Sequence, residues 1–187
     1  MAISVLMSNY KASYSVKPKM KKEGWSKPPK DYVKINVDAG FDIDNLKGTT
    51  GAVARNHKGQ FIAACNSKIE YVHDALSAEV YALKQGLQLA ESLGCNRVII
   101  NSDNHDVVVT MKEGGNSQGV AAAIFDDCYY MAKELVSVRY EHSSRDTNQV
   151  AHELAQMAKY SDHKVWLENP PPEIVPLLIN DVTLIIS

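Results

Sequence analysis

Tyr32-Val-Lys-Ile-Asn-Val-Asp38 and Arg97-Val-Ile-Ile-Asn-Ser-Asp103 decide how this chain folds. In the first stretch Val33, Ile35 and Val37 share one face at period two, the mark of a strand, and the strand closes on an aspartate. The second is a near-continuous apolar run of the buried, parallel kind, and it too ends at an aspartate. Between them, Gly51-Ala-Val-Ala-Arg55 and residues 60–69 read as two further strands joined by the hairpin chemistry of Asn56-His-Lys-Gly59. A polar turn is expected over residues 39–50. The period then changes: Leu76, Val80, Leu83, Leu87 and Ala90 form one helical stripe, closed by Gly94. A helix between parallel strands crosses over right-handedly, which predicts the fourth strand beside the first.

Beyond Asp103 the pattern predicts a short helix over residues 104–112 and a helix carrying Ile124, Cys128, Met131 and Leu135. A fifth strand follows over 136–140. Asp146 or Thr147 is placed to cap a last helix with Val150, Leu154 and Met157 on its core face. The order βββαβααβα predicts an α/β fold, a five-stranded mixed sheet with helices on both faces. Residues 1–31 show no period and read as a flexible basic arm, 32–160 as the domain, and 161–187 as an extension holding Pro170-Pro171-Pro172.

Composition narrows the function. At 45% hydrophobic and 22% charged the 187-residue chain is globular rather than disordered. No apolar run approaches the ~20 residues that span a bilayer, and the first seven residues lack a secretory pattern. Cys65, Cys95 and Cys128 are too few and too scattered for a disulfide scaffold or a zinc module. They fit an intracellular protein of the nucleus or cytoplasm, with an organelle as the alternative. Residues 1–34 hold eight lysines against Glu23 and Asp31, whereas the remainder is acidic. Within that arm Lys19, Lys21 and Lys22 are candidate nucleic-acid contacts.

Asp38 and Asp103 sit where adjacent parallel strands end, the usual place for a site. Glu79 lies on the first long helix, beside its buried stripe. Three carboxylates converging there do not all ionise comfortably without a cation. Hard oxygen donors with open positions suit Mg2+ or Mn2+.

Five segments in order resemble the plant-type ribonuclease H-like domain family, related to type 1 ribonuclease H and to retroelement ribonuclease H domains. They are Lys34-Ile-Asn-Val-Asp38, Gly51 with Arg55-Asn-His-Lys-Gly59, Ala78-Glu79-Val-Tyr-Ala82, Asn101-Ser-Asp103, and Arg145-Asp-Thr-Asn148 with Val150-Ala-His-Glu-Leu-Ala155. Trp25-Ser-Lys-Pro-Pro29 and Trp166 with its proline run are similar to the family as well. The resemblance implies a ribonuclease H-like fold and a metal-dependent endonuclease, a monomer that cuts the RNA strand of RNA–DNA hybrids with two metal ions. It implies Asp38, Glu79 and Asp103 as catalytic metal ligands and His142 as a mobile catalytic histidine before the last helix. His152 stands at the fourth, normally acidic, metal-ligand position. A Thr-Asn-Asn run common before the glutamate is replaced by Asp74-Ala-Leu76, so strand discrimination is left to main-chain groups and Glu79. These departures keep a second function in view, a catalytically weak or inactive module that binds nucleic acid or a protein partner.

Overall fold

The computed structural model describes residues 24–183, so the arm lysines Lys19, Lys21 and Lys22 lie outside the described residues. Six strands and five α-helices follow in the order β1 (Val33–Asp42), β2 (Lys47–Arg55), β3 (Phe61–Ile69), α1 (Ala75–Ser92), β4 (Arg97–Ser102), α2 (His105–Lys112), α3 (Ala122–Lys133), β5 (Ser137–His142), α4 (Gln149–Met157), β6 (Lys164–Leu167) and α5 (Val175–Thr183). The sheet order is β5-β4-β1-β2-β3-β6. β4 lies parallel to both β1 and β5, and the other pairings are antiparallel. The mixed α/β sheet with helices on both faces is therefore as expected, with one strand and one helix more, β6 and α5, both in the C-terminal extension.

Three details differ from the sequence reading. The first hairpin is longer, because residues 39–42 and 47–50 pair in register despite their polar character. Asp42 closes its turn by accepting the amides of Asp44 and Asn45. The sixth strand lies in the proline-containing extension, where Trp166 pairs opposite Ala64; four residues with mostly exposed side chains carry no alternation that a pattern search detects. The helix expected to be the last, α4, starts at Gln149 and is not capped by Asp146 or Thr147, which lie in a 3-10 turn.

Each sheet face has its own core. On one face α1, α2 and α3 bury Val80, Leu83, Leu87, Val107, Phe125 and Cys128 against Ile35, Val37, Ala52, Ala54 and Ile100. Asp74 caps α1 by accepting the Ser77 amide at 2.7 Å. Gly86 lets α1 lie close on β1: a Cβ there would stand 2.6 Å from Val37 Cγ1. On the other face α4 packs Val150 and Leu154 onto Val53 and Ala64, with Ile174 completing the cluster. Among the described residues no helix is long and apolar enough to cross a membrane.

The second face also buries charge. Arg55 and Asp181, the latter on α5, pair at 2.7 Å with almost no exposure, and the Arg55 guanidinium stacks 3.7 Å from the Trp25 ring centroid. Lys34 donates to the carbonyl and hydroxyl of Ser26 and pairs with Glu141 at 3.3 Å. Burial of this kind is tolerated because each charge is met by a partner.

The closest approach of α4 to the sheet is at Gly51, where a Cβ would run into the Ala151 carbonyl, the Ala155 amide and Leu154 Cβ. Two of those are backbone and cannot swing aside. Gly51→Ala is expected to lower the urea midpoint, costing ~1–3 kcal/mol as overpacking, with the m-value unchanged. A midpoint equal to the parent's would show that α4 moves freely on β2.

Candidate metal centre

The parallel register pairs Val37 with Ser102, so Asp103, just past the end of β4, comes out beside Asp38, which lies within β1 and not at its end as the sequence led one to expect. The tight seat of α1 on β1 brings Glu79 to the same place. Oxygens of the three carboxylates lie within 4.8 Å of one another. They line a cavity of about 430 Å³ with Ala39, Asn104, Arg145, Asn148, Gln149 and His152.

Proximity and burial oppose ionisation. Burial, and then the neighbouring Asp103 charge, raise the Asp38 carboxyl to about 6, with His152 pulling it down. Burial raises Glu79 to about 8, with the Asp38 and Asp103 charges adding to the shift and Arg145 opposing it. Glu79 Oε2 is buried and has no hydrogen-bond partner. A buried oxygen left unpaired among other anionic oxygens is a costly arrangement unless a cation meets it. Hard oxygen donors alone make up this cluster, which fits a divalent ion of the Mg2+ or Mn2+ kind.

Two histidines and an arginine border the carboxylates. His152, on the first turn of α4, places Nδ1 2.8 Å from Asp38 Oδ2, and its Nε2 is 3.4 Å from Gln156. It is therefore Asp38's hydrogen-bond partner, and the three-oxygen cluster forms without it. His142, at the end of β5, places Nε2 3.1 Å from the Asp103 carbonyl. A carbonyl only accepts, so Nε2 carries the proton and Nδ1 of the neutral ring is left to accept. His105 meets the His142 ring edge-on, 5.8 Å between centroids. Arg145 holds Nε 3.6 Å from Asp103 Oδ2 with its side chain almost wholly exposed.

A family profile described as reverse transcriptase-like matches residues 36–158. That span holds all three carboxylates. This chain belongs to the reverse transcriptase-like family. No curated protein sequence matches it. Among solved structures, an N-terminal RNase H domain from Mycobacterium tuberculosis, a fusion with maltose binding protein, is similar at 23% identity and TM-score 0.63, covering 68% of this chain and 92% of its own. RNase H1 from the halophilic archaeon Halobacterium salinarum is similar at 19% identity and TM-score 0.59, covering 68% and 97%. LC11-RNase H1 in complex with RNA/DNA hybrid is similar at 20% identity and TM-score 0.61, covering 67% and 95%. At these identities the likeness establishes a ribonuclease H-like fold.

Within this reverse transcriptase-like domain the residues singled out from sequence fall in two groups. Asp38, Glu79 and Asp103 converge, and His152 touches Asp38. His142 stands outside the carboxylate cavity, behind Asp103. Sequence reading passed over Arg145 and Asn148 as site residues. Among the described residues Arg145 is the only arginine or lysine that lines the cavity. Asn148 lies in the last family segment, immediately ahead of the helix, which was its only signal in the sequence; its burial appears only in the fold.

The two raised carboxyls make stability depend on pH. Folded Glu79 and Asp38 keep protons that the unfolded chain releases in the ordinary carboxylate range. Their contribution is fully present below that range and is lost as pH rises through the folded values. The thermal midpoint of the metal-free protein is expected to fall between about pH 4.5 and about pH 8. Glu79→Gln is expected to remove most of that slope, and Mn2+ to flatten it. A metal-free midpoint that stays level across this window would show that burial and mutual repulsion do not raise the two carboxyls.

Proposed function

We propose that this protein is a metal-dependent endonuclease that hydrolyses the RNA strand of RNA–DNA hybrids. The observation that carries the reading is the convergence of Asp38, Glu79 and Asp103, with one glutamate oxygen buried and unpaired, on a ribonuclease H-like sheet. The hybrid bound to LC11-RNase H1 supports the substrate class. Asp38, Glu79 and Asp103 would hold two Mg2+ or Mn2+ ions, which when bound supply an activated water and stabilise charge on the leaving 3′ oxygen.

The chain's own groups then divide the remaining work. Glu79, with one oxygen buried and without a hydrogen-bond partner, would complete the carboxylate set with the two aspartates. His152 fixes the rotamer of Asp38 through the 2.8 Å contact. Arg145 hangs free over Asp103 and offers guanidinium donors to a phosphate oxygen of the entering strand. His142, outside the cavity and held through Nε2 to the Asp103 carbonyl, would take up or deliver a proton through Nδ1. The exposed rims of the cavity leave the hybrid's minor groove and 2′-hydroxyls within reach of main-chain groups and Glu79.

A second reading is a weakly catalytic or inactive binding module. It is favoured by one observation, a histidine rather than a fourth acid against Asp38, which leaves the cluster with less negative charge to hold two dications. A cleavage assay on labelled hybrid, double-stranded RNA and double-stranded DNA, each with Mg2+ and Mn2+, separates the two readings.

Asp103→Asn is expected to reduce hybrid cleavage by roughly a hundredfold or more without lowering the thermal midpoint, since it relieves repulsion and opens no cavity. Cleavage at the parent's rate by the folded variant would move the active site elsewhere. His152→Asp adds an oxygen donor beside Asp38 and is expected to raise cleavage in Mg2+ relative to Mn2+. An unchanged ratio between the two metals would leave His152 without a part in metal choice.

A further inference from the structure

The face of β1 that carries Asp38 also carries Asn36, one pleat earlier. Asn36 is completely buried, as are Trp25, Arg55 and Asn148 around it. Asn36 Oδ1 accepts from the Trp25 indole Nε1 at 2.9 Å and from Arg55 Nη2 at 3.1 Å. Asn36 Nδ2 donates to Asn148 Oδ1 at 3.0 Å, and Asn148 Nδ2 donates to the Val37 carbonyl at 2.9 Å. The Asn148 carbonyl accepts the His152 amide at 3.1 Å, and the His152 ring contacts Asp38.

The ends of this relay set its direction. An indole N–H and a guanidinium only donate, and a carbonyl only accepts. Asn36 must turn its oxygen to Trp25 and Arg55 and its nitrogen to Asn148. Asn148 must then turn its oxygen to Asn36 and its nitrogen to Val37. Reversing either amide would set donor against donor or acceptor against acceptor in a dry interior, where an unmade bond is most costly. Asn148 is the residue ahead of α4, yet its side chain makes no cap bond to that helix. The side chain is used across the gap to β1, at the peptide that precedes Asp38.

We infer that Asn36 is a positioning residue for the metal centre, held in its one workable orientation by Trp25, which lies ahead of the family-matched residues 36–158. This rests on reading the carboxylate cluster as a metal site. Asn36 touches no reacting group. It ties the start of α4 to β1, and so sets where His152 stands against Asp38. A stretch of chain ahead of the first strand thereby helps to shape a site that it does not reach.

The test uses the full chain, three variants and two measurements made without nucleic acid. Asn36→Asp keeps the volume, exchanges the donor facing Asn148 for an acceptor and adds a carboxyl charge beside Arg55, so the charge-free Trp25→Phe is read beside it. Trp25→Phe keeps an aromatic ring on Arg55 and removes the indole N–H. Phe125→Leu, in the core under α3 on the opposite face, reports plain destabilisation. Mn2+ binding is titrated directly, and hydrogen exchange is followed at the His152 amide. Asn36→Asp is expected to weaken Mn2+ binding by about tenfold, the usual scale for groups that orient ligands, and to speed exchange at His152. Trp25→Phe is expected to do both to a smaller degree, and it decides alone if Asn36→Asp does not fold. Phe125→Leu is expected to lower the thermal midpoint and move neither. Parent-like Mn2+ binding and parent-like exchange in the relay variants would overturn the inference. If the parent itself binds no Mn2+, the metal-site reading fails, while exchange at His152 still decides the relay: faster exchange sustains it and unchanged exchange overturns it.

Discussion

Parallel pairing of β1 with β4 is the constraint on which the rest depends. It sets Asp38 beside Asp103, although 64 residues lie between them in the chain. The pairing requires a crossover, and α1 supplies it while carrying Glu79 to the same edge. The connection that makes the sheet therefore also delivers the third carboxylate. Burial of the carboxylates, and then repulsion among them, is an electrostatic cost built into the fold, visible in the raised Asp38 and Glu79 carboxyls. Packing of Gly86 on Val37 holds the groups together against that repulsion.

The two faces of the sheet do different work. The face under α1, α2 and α3 is almost wholly apolar and supplies the bulk of the hydrophobic burial. The face under α4 and α5 is mixed, with Lys34, Asn36, Arg55 and Asp181 buried beside Val53, Ala64 and Leu154. Apolar contacts tolerate small slides, whereas a hydrogen-bonded chain with fixed donors and acceptors has one register. The helix that bears His152 is seated on the polar face, so its placement follows from directional bonds as well as from shape.

Residues outside the matched span contribute to this seat. Trp25 ahead of it and Asp181 beyond it both converge on Arg55. β6 extends the sheet beyond β3, and Ile174 fills the core between α4 and the sheet. A ribonuclease H-like body with both flanks folded back on one face has its second layer completed by its own chain.

What the sequence determined by itself was local or carried by order. Period-two alternation marked β1, a buried apolar run marked β4, and a single helical stripe marked α1, because side-chain periodicity follows directly from backbone geometry. Asp38, Asp103 and Glu79 were legible from their positions relative to those elements, although β1 runs on past Asp38 to Asp42. Tertiary structure alone decided what those positions meant in three dimensions. That Lys34 and Asn36 are buried depends on α4, α5 and residues 24–29 covering a second face, which no pattern along β1 contains. That Asn148 bonds Val37 rather than capping α4, and that His152 leans on Asp38 while His142 is held behind Asp103, depend on groups more than 30 residues apart in sequence. Hydrogen-bond partners of this kind are chosen by distance and direction to a few tenths of an ångström, and only the packed fold sets those.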